Sequence, residues 1–224
     1  MLSSLCVAGV YPWPADDGYR QRLQAMIEAL ATIGSVEFWC YGKPQRGSVE
    51  APAPMGTTVR WLDLTSMTRS EQLAAWLTGL PRALARQQPS MPVLSVEHAQ
   101  FDLVLFSHVD AWHYFGSMVD APAIVDFDNL LDVMLQSKRS LGYQRVEGRT
   151  RGLAGNALAR GRRALRALSD RVDERRFAEI QRRCARSVHT VTLCSQLDVR
   201  RSGLGNARCI PNGYTLRSCL LYTS

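Results

Sequence analysis

Residues 4–41 read SLCVAGVYPWPADDGYRQRLQAMIEALATIGSVEFWCY, and their patterning decides the fold. Ser4 to Val10 is a continuous apolar run with the character of a strand buried on both faces. Tyr11-Pro12-Trp13-Pro14 and the turn signal Asp16-Asp17-Gly18 end it. Leu23, Met26, Ile27 and Leu30 then recur at i, i+3, i+4 and i+7, with Gln21, Arg22, Gln24 and Glu28 on the other face and Gly34 at the stop. This spacing predicts an amphipathic helix. Val36 to Tyr41 returns to strand character, so the stretch is one βαβ unit.

The alternation continues outward. Thr58 to Leu62 reads as a strand, and Ser70-Glu71 opens a helix through Leu73, Trp76, Leu77 and Leu80. Phe101 to Ser107 is a strand, Asp110 to Val119 a short helix, and Ala123 to Phe127 another strand. A basic region follows, then a strand at Thr190 to Cys194, a short helix from Gln196 and a last strand around Arg208 to Ile210. Strands separated by helices over the whole length predict an α/β fold: a Rossmann-like, doubly wound, mostly parallel sheet.

Composition excludes several classes. The chain has 224 residues, 46% of them hydrophobic and 21% charged, which suits a globular core and argues against disorder, collagen and disulfide scaffolds. No run approaches the roughly 20 apolar residues of a membrane-spanning helix. No Lys or Arg precedes Arg20, so the basic start of a signal peptide is missing and a cytoplasmic location is expected. Cys6, Cys40, Cys184, Cys194, Cys209 and Cys219 form no C-x-x-C pair and no zinc-spaced cluster, so no metal is expected and the thiols read as reduced core residues.

Doubly wound sheets bind ligands in the loops beyond the carboxyl ends of their strands. Four loops qualify: Pro12 to Arg22, Ser107 to His113, Asp126 to Asn129 and Ser195 to Asp198. The first delivers Gly18 to a helix start, where free N–H groups favour anions and Arg20 and Arg22 add charge; helix capping by Asp16, Asp17 and Gly18 is the competing reading. No G-x-G-x-x-G follows the first strand, which disfavours a dinucleotide site. Asp126 and Asp128 leave a core strand two residues apart, with Asn129 beside them and His108 and His113 on the neighbouring loop. A carboxylate there suits a base for a substrate hydroxyl, and Asp-x-Asp-Asn equally suits a helix cap.

The net charge of +7 is confined to one segment. Residues 138–186 hold 15 Lys/Arg against 5 Asp/Glu, while the remainder is slightly acidic. Leu158, Leu165, Leu168 and Val172, then Phe177, Ile180 and Cys184, keep helical spacing among Arg160, Arg162, Arg163, Arg166, Arg175, Arg176, Arg182 and Arg183. This predicts a cationic helix pair or one long broken helix. A solvated helix packing on the sheet and attachment to an anionic membrane surface are both open readings. Nucleic acid is disfavoured, since only Tyr143 and Phe177 supply aromatic rings there and no binding motif occurs.

Several segments together resemble one family, the retaining glycosyltransferases of the GT-B fold, family 4, which act on bacterial polysaccharide and lipid-linked sugars. The matching pieces are the first strand into Pro12-Trp13-Pro14-Ala15-Asp16-Asp17-Gly18-Tyr19-Arg20-Gln21-Arg22, then Gly34-Ser35-Val36-Glu37, Phe101-Asp102-Leu103-Val104 and Pro122-Ala123-Ile124-Val125-Asp126. Glu179 before Val191-Thr192-Leu193-Cys194-Ser195 and finally Ile210-Pro211-Asn212-Gly213 complete the series. The last motif is the most specific, marking in that family the crossover between two Rossmann-like halves. Two departures stand out: Asp128 occupies the place where many relatives carry a sugar-contacting His, and the first loop has one glycine where many have two.

The resemblance implies the N-terminal half of a two-domain GT-B enzyme. Residues 1–210 would be the acceptor-binding domain, 211–218 the start of the crossover, and 219–224 a non-native tail similar to a translated transposon end. It implies transfer from a nucleotide-sugar donor, held mainly by a further domain, to a sugar, polysaccharide or lipid-linked acceptor. The protein would then be cytoplasmic and peripheral on the inner membrane, with no cofactor bound by this portion. Asp126 and Asp128 become the catalytic candidates, as sugar or acceptor contacts, and Gly18, Arg22, His108 and Asn129 the substrate-binding ones. A sugar-nucleotide epimerase of the same fold and an Arg-rich adaptor without enzymatic activity are the rivals.

Overall fold

The computed structural model describes residues 1–42, 52–90, 101–140 and 153–212. The expected tail at 219–224, most of the crossover and Tyr143 lie outside the described residues, as do the side chains of Leu158, Arg160, Arg162 and Arg163.

The chain divides into two compact units. The first comprises Met1–Thr65, Gln88–Asp128 and Cys184–Ser224; the second comprises Ser66–Gln87 and Asn129–Arg183. The first unit is built on a seven-stranded sheet of β1 (Leu2–Ala8), β2 (Gly34–Cys40), β3 (Thr57–Trp61), β6 (Leu103–Ser107), β7 (Ala123–Asp128), β8 (Thr190–Leu193) and β9 (Ala207–Cys209). The order is β3-β2-β1-β6-β7-β8-β9, and each of the neighbouring pairs is parallel. The doubly wound parallel sheet expected from the sequence is therefore present. Two short strands, β4 (Leu64–Ser66) and β5 (Gln87–Pro89), pair separately.

Alternation along the strands explains the layers. Leu5 to Ala8 of β1 are fully buried, so both faces of the sheet are covered. On one face Cys6, Ala8, Phe38 and Cys40 pack with Leu23 and Ile27 of α1 (Gly18–Ile33). On the other, Trp39 meets Phe115 of α3 (His108–Phe115) edge to face, with ring centroids 6.5 Å apart. Helix α1 runs straight into β2 at Gly34, where a Cβ would lie 1.8 Å from the Leu2 carbonyl oxygen; only glycine permits that junction. A seven-residue helix, α6 (Gln196–Ser202), joins β8 to β9.

In the second unit, α2 (Arg69–Leu77) starts with a capping box between Thr68 and Glu71, as the Ser70-Glu71 signal implied. Helix α4 (Leu131–Ser140), where the Asp-x-Asp-Asn stretch allows a capped helix, precedes α5 (Leu153–Ser187), whose last residues belong to the first unit. Over Leu153–Ser187 the basic region is one continuous 35-residue helix, while its residues 138–140 end α4 and 141–152 lie outside the described residues. Its apolar stripe holds only in part. Phe177 and Ile180 are buried, whereas Leu165 and Leu168, expected on the packed face, are 69% and 60% exposed. Those two leucines share the outer surface with Arg171, Arg175, Arg182 and Arg183.

Candidate functional site at the carboxyl edge of the sheet

Strand order reverses between β1 and β6, and the crevice beyond their carboxyl ends is where a doubly wound sheet receives ligands. The first unit brings Tyr19, His108 and Asp110 to that place. The Tyr19 hydroxyl and the Ser107 hydroxyl share a hydrogen bond of 2.8 Å, and the Tyr19 ring lies 4.5 Å from the His108 imidazole. Nδ1 of His108 stands 3.2 Å from the Phe127 carbonyl oxygen. A carbonyl only accepts, so Nδ1 is the donor of this bond, and in the neutral ring Nε2 is the acceptor.

Backbone geometry singles out the same edge. His108 (φ 71°) and Asp128 (φ 52°) are non-glycine residues in the left-handed region; His108 directly follows β6 and Asp128 ends β7. Such conformations cost energy and concentrate at functional sites. At Asp128 the cause is visible: the β7–β8 register slips between Asp126 and Asp128. The strand spacing suggests one shared face for these two aspartates, but the slip gives them different surroundings.

Asp126 is 1% exposed and both of its oxygens are engaged. Nε of Arg22 donates to Oδ2 at 2.8 Å and Nη2 to Oδ1 at 2.7 Å; the Thr192 hydroxyl donates to Oδ1 at 2.6 Å. Asp128 lies at the rim of the same cluster, with Oδ1 3.9 Å from Arg22 Nε and its side chain 11% exposed. Burial alone would disfavour the Arg22 charge, but the hydrogen bonds and field of Asp126, with the field of Asp128, outweigh it and hold the guanidinium above its ordinary pKa. Arg22 is thus a fixed cation matched to Asp126.

In the first loop the acidic side chains cap and pair locally. The Asp17 side chain accepts from the Arg20 amide at 2.8 Å, capping α1, and the Arg20 guanidinium is bonded to Asp16. Gly18 opens the helix in free space, with no atom within 4 Å of where a Cβ would stand. Both arginines are therefore paired. At the carboxyl ends of β1, β6, β7 and β8 and in the first five residues of α1, α3 and α6, the first unit carries Asp16, Asp17, Asp110, Asp126, Asp128 and Asp198 against Arg20, Arg22 and Arg200, a surplus of negative charge. Asn129 is exposed and begins the second unit.

The sequence reading missed three tyrosines around Asp110. Tyr41 donates its hydroxyl to Asp110 Oδ2 at 2.9 Å. Burial, then the Asp110 charge, raises the Tyr41 phenol well above its usual pKa and pushes Tyr114 up to about 12. Tyr19 rises as well, chiefly through burial. All three stay protonated donors at neutral pH. Tyr19 adjoins Gly18 in the matched motif, and that adjacency was the available signal.

No protein-family model matches the chain, and no curated protein matches it. Among solved structures, a crystal structure of LpCGTa in complex with UDP aligns with a TM-score of 0.45 at 12% sequence identity. The alignment covers 100% of this chain and 57% of that one, so the chain spans little more than half its length. At that score the likeness is too loose to define the fold, which stands on its own strand pairing. Among the described residues no cluster suits a metal ion, and no helix is long and apolar enough to cross a membrane.

Proposed function

We propose that this chain supplies the acceptor-binding half of a glycosyltransferase that moves a sugar from a nucleotide-sugar donor to a polysaccharide or lipid-linked acceptor. The order of the matched sequence motifs supports the class, and the parallel sheet suits it. The observation that carries the acceptor assignment is the charge of the carboxyl edge. Surplus carboxylates suit the hydroxyl groups of a sugar and repel a diphosphate, and the uncharged tyrosines add no positive charge that would attract one. Donor phosphates would then be held elsewhere in the complete protein.

In this reading Asp128 accepts a hydrogen bond from an acceptor hydroxyl, Nε2 of His108 accepts a second, and the Tyr19 ring offers an apolar face. Gly18 gives open access at the start of α1. Asp126 acts indirectly, since both its oxygens are spoken for. The direct test is release of nucleoside diphosphate from nucleotide sugars, with added acceptor glycans, by the chain extended with its downstream coding sequence. Asp128→Asn should lower kcat/KM about 10- to 100-fold, the scale of one hydrogen bond to a charged group. Unchanged turnover in that variant would remove Asp128 from the site. Conversion of a free sugar nucleotide with no acceptor would point instead to an epimerase.

A second reading concerns location. Leu165 and Leu168, exposed among Arg171, Arg175, Arg182 and Arg183, favour peripheral attachment of α5 to an anionic membrane surface. Sedimentation with anionic vesicles should be strong at low salt and weaken as salt rises; equal sedimentation with neutral vesicles contradicts it.

A further inference from the structure

Arg22 does more than neutralise Asp126. Its side chain is 3% exposed, and beyond the two bonds to Asp126 its Nη1 donates to the Ile210 carbonyl oxygen and, at 3.0 Å, to Asn212 Oδ1. Four of the five guanidinium N–H groups are thus directed at partners 104, 188 and 190 residues away in the chain. Thr192 holds Asp126 from β8, so the pair is itself clamped. Ile210 and Asn212 follow the end of β9, in the stretch through which the chain leaves the sheet. A buried ion pair is weak evidence for stability, because apolar side chains of similar volume often do as well. A planar fork with four aimed bonds instead specifies position.

We propose that Arg22 is the positioning residue of this edge: it fixes the Ile210–Asn212 segment against the Asp126 carboxylate, in the cluster at whose rim Asp128 lies. The functional half of this statement rests on the reading of Asp128 as an acceptor contact. Arg22 itself touches no substrate in this account. It acts through Asp126, Ile210 and Asn212, and a lysine cannot replace it, because one ammonium group lacks the fork that reaches all three.

The test compares three variants of the full chain by amide hydrogen exchange and, in the extended protein, by sugar transfer. Arg22→Lys removes the fork and keeps the charge. Ile27→Ala, a fully buried position on the same helix with no part in the cluster, is the destabilised control. Asn212→Ala deletes one accepted bond and keeps the buried pair intact, so it remains informative if Arg22→Lys folds poorly. Arg22→Lys should speed exchange across residues 207–212 by about tenfold or more relative to the rest of the sheet, the scale of losing hydrogen bonds to a charged donor. Asn212→Ala should do so severalfold, and Ile27→Ala should show no such local preference. In the transfer assay Arg22→Lys should lower kcat more than it changes the KM for donor.

Exchange at 207–212 unchanged in both Arg22→Lys and Asn212→Ala overturns the proposal. So does an equal local rise in Ile27→Ala, which would mean general loosening. Faster exchange with normal transfer overturns the functional half alone. Absence of transfer by the parent protein, with the exchange pattern as expected, defeats the sugar-transfer reading and leaves the positioning role supported.

Discussion

Arg22 and Arg82 are each clamped by two aspartates, and the clamps differ in what surrounds them. In the first unit Arg22 meets Asp126 and Asp128 at the carboxyl edge of the sheet, with Arg22 and Asp126 side chains 3% and 2% exposed. In the second unit Arg82 bonds Asp170 and Asp173, neighbours one turn apart on α5, and the Arg82 side chain is 41% exposed. Asp173 also accepts from the Trp76 indole at 3.0 Å, while Arg176 lies over the Trp76 ring and donates to the Leu80 carbonyl oxygen. The second clamp fastens α2 and the following turn onto one helix. The first ties together segments from opposite ends of the chain. The same residue types thus serve attachment where water can reach them and placement where it cannot.

The contrast breaks most sharply at Asp126. Asp126→Ala leaves Arg22 buried without its carboxylate and should cost about 3–5 kcal/mol in urea unfolding. A loss no larger than that of Asp173→Ala would show that the two clamps are alike. Asp173→Ala removes the acceptor of the Arg82 guanidinium, the Arg82 amide and Trp76, and should cost about 2 kcal/mol, with less rescue needed because Arg82 keeps part of its hydration. Arg82→Lys keeps the charge near water and should cost about 1 kcal/mol in the same measurement. Arg22→Lys should cost clearly more, and equality between the two lysine variants would erase the distinction.

The smallest effect sharpens the comparison at an exposed site. Hydrogen bonds from the Thr68 hydroxyl and backbone hold the Glu71 carboxyl below its ordinary pKa. A depressed folded pKa contributes stability above the unfolded value, and this is lost as pH falls through the folded one. Titration of the Glu71 side-chain carbon by NMR should therefore show a midpoint below the usual glutamate range, returning towards it in Thr68→Ala. Neither arginine clamp gains stability from Arg titration at accessible pH: a raised Arg pKa is a contribution fully present below the ordinary arginine value.

Much of this was legible in the sequence for local reasons. Leu23, Met26, Ile27 and Leu30 announce α1, and the apolar run from Ser4 announces a strand covered on both faces; both depend on contacts within a few residues. Asp126 and Asp128 could be placed at a strand end. What the spacing of two could not reveal was the register slip that turns one carboxylate inward and leaves the other at the rim. Arg22 reads as a polar-face residue on the helical wheel, and its burial follows from partners 104 to 190 residues distant. The stripe on α5 shows the converse error. Leu165 and Leu168 have helical spacing with Phe177 and Ile180, but periodicity says which residues share a face and not how far along the helix that face stays covered. Strands β4 and β5 were missed because three residues carry no periodic signal.

The carboxyl edge of the sheet accepts either a saccharide or a nucleoside diphosphate. Amide and side-chain NMR shifts of this chain, recorded during titration with acceptor oligosaccharides and separately with UDP, decide it. Saccharide-induced shifts at Tyr19, His108 and Asp128, with UDP leaving Gly18 and Tyr19 unmoved, are the predicted result. Tight UDP binding centred on Gly18 and Tyr19, with no response to saccharide, would contradict it.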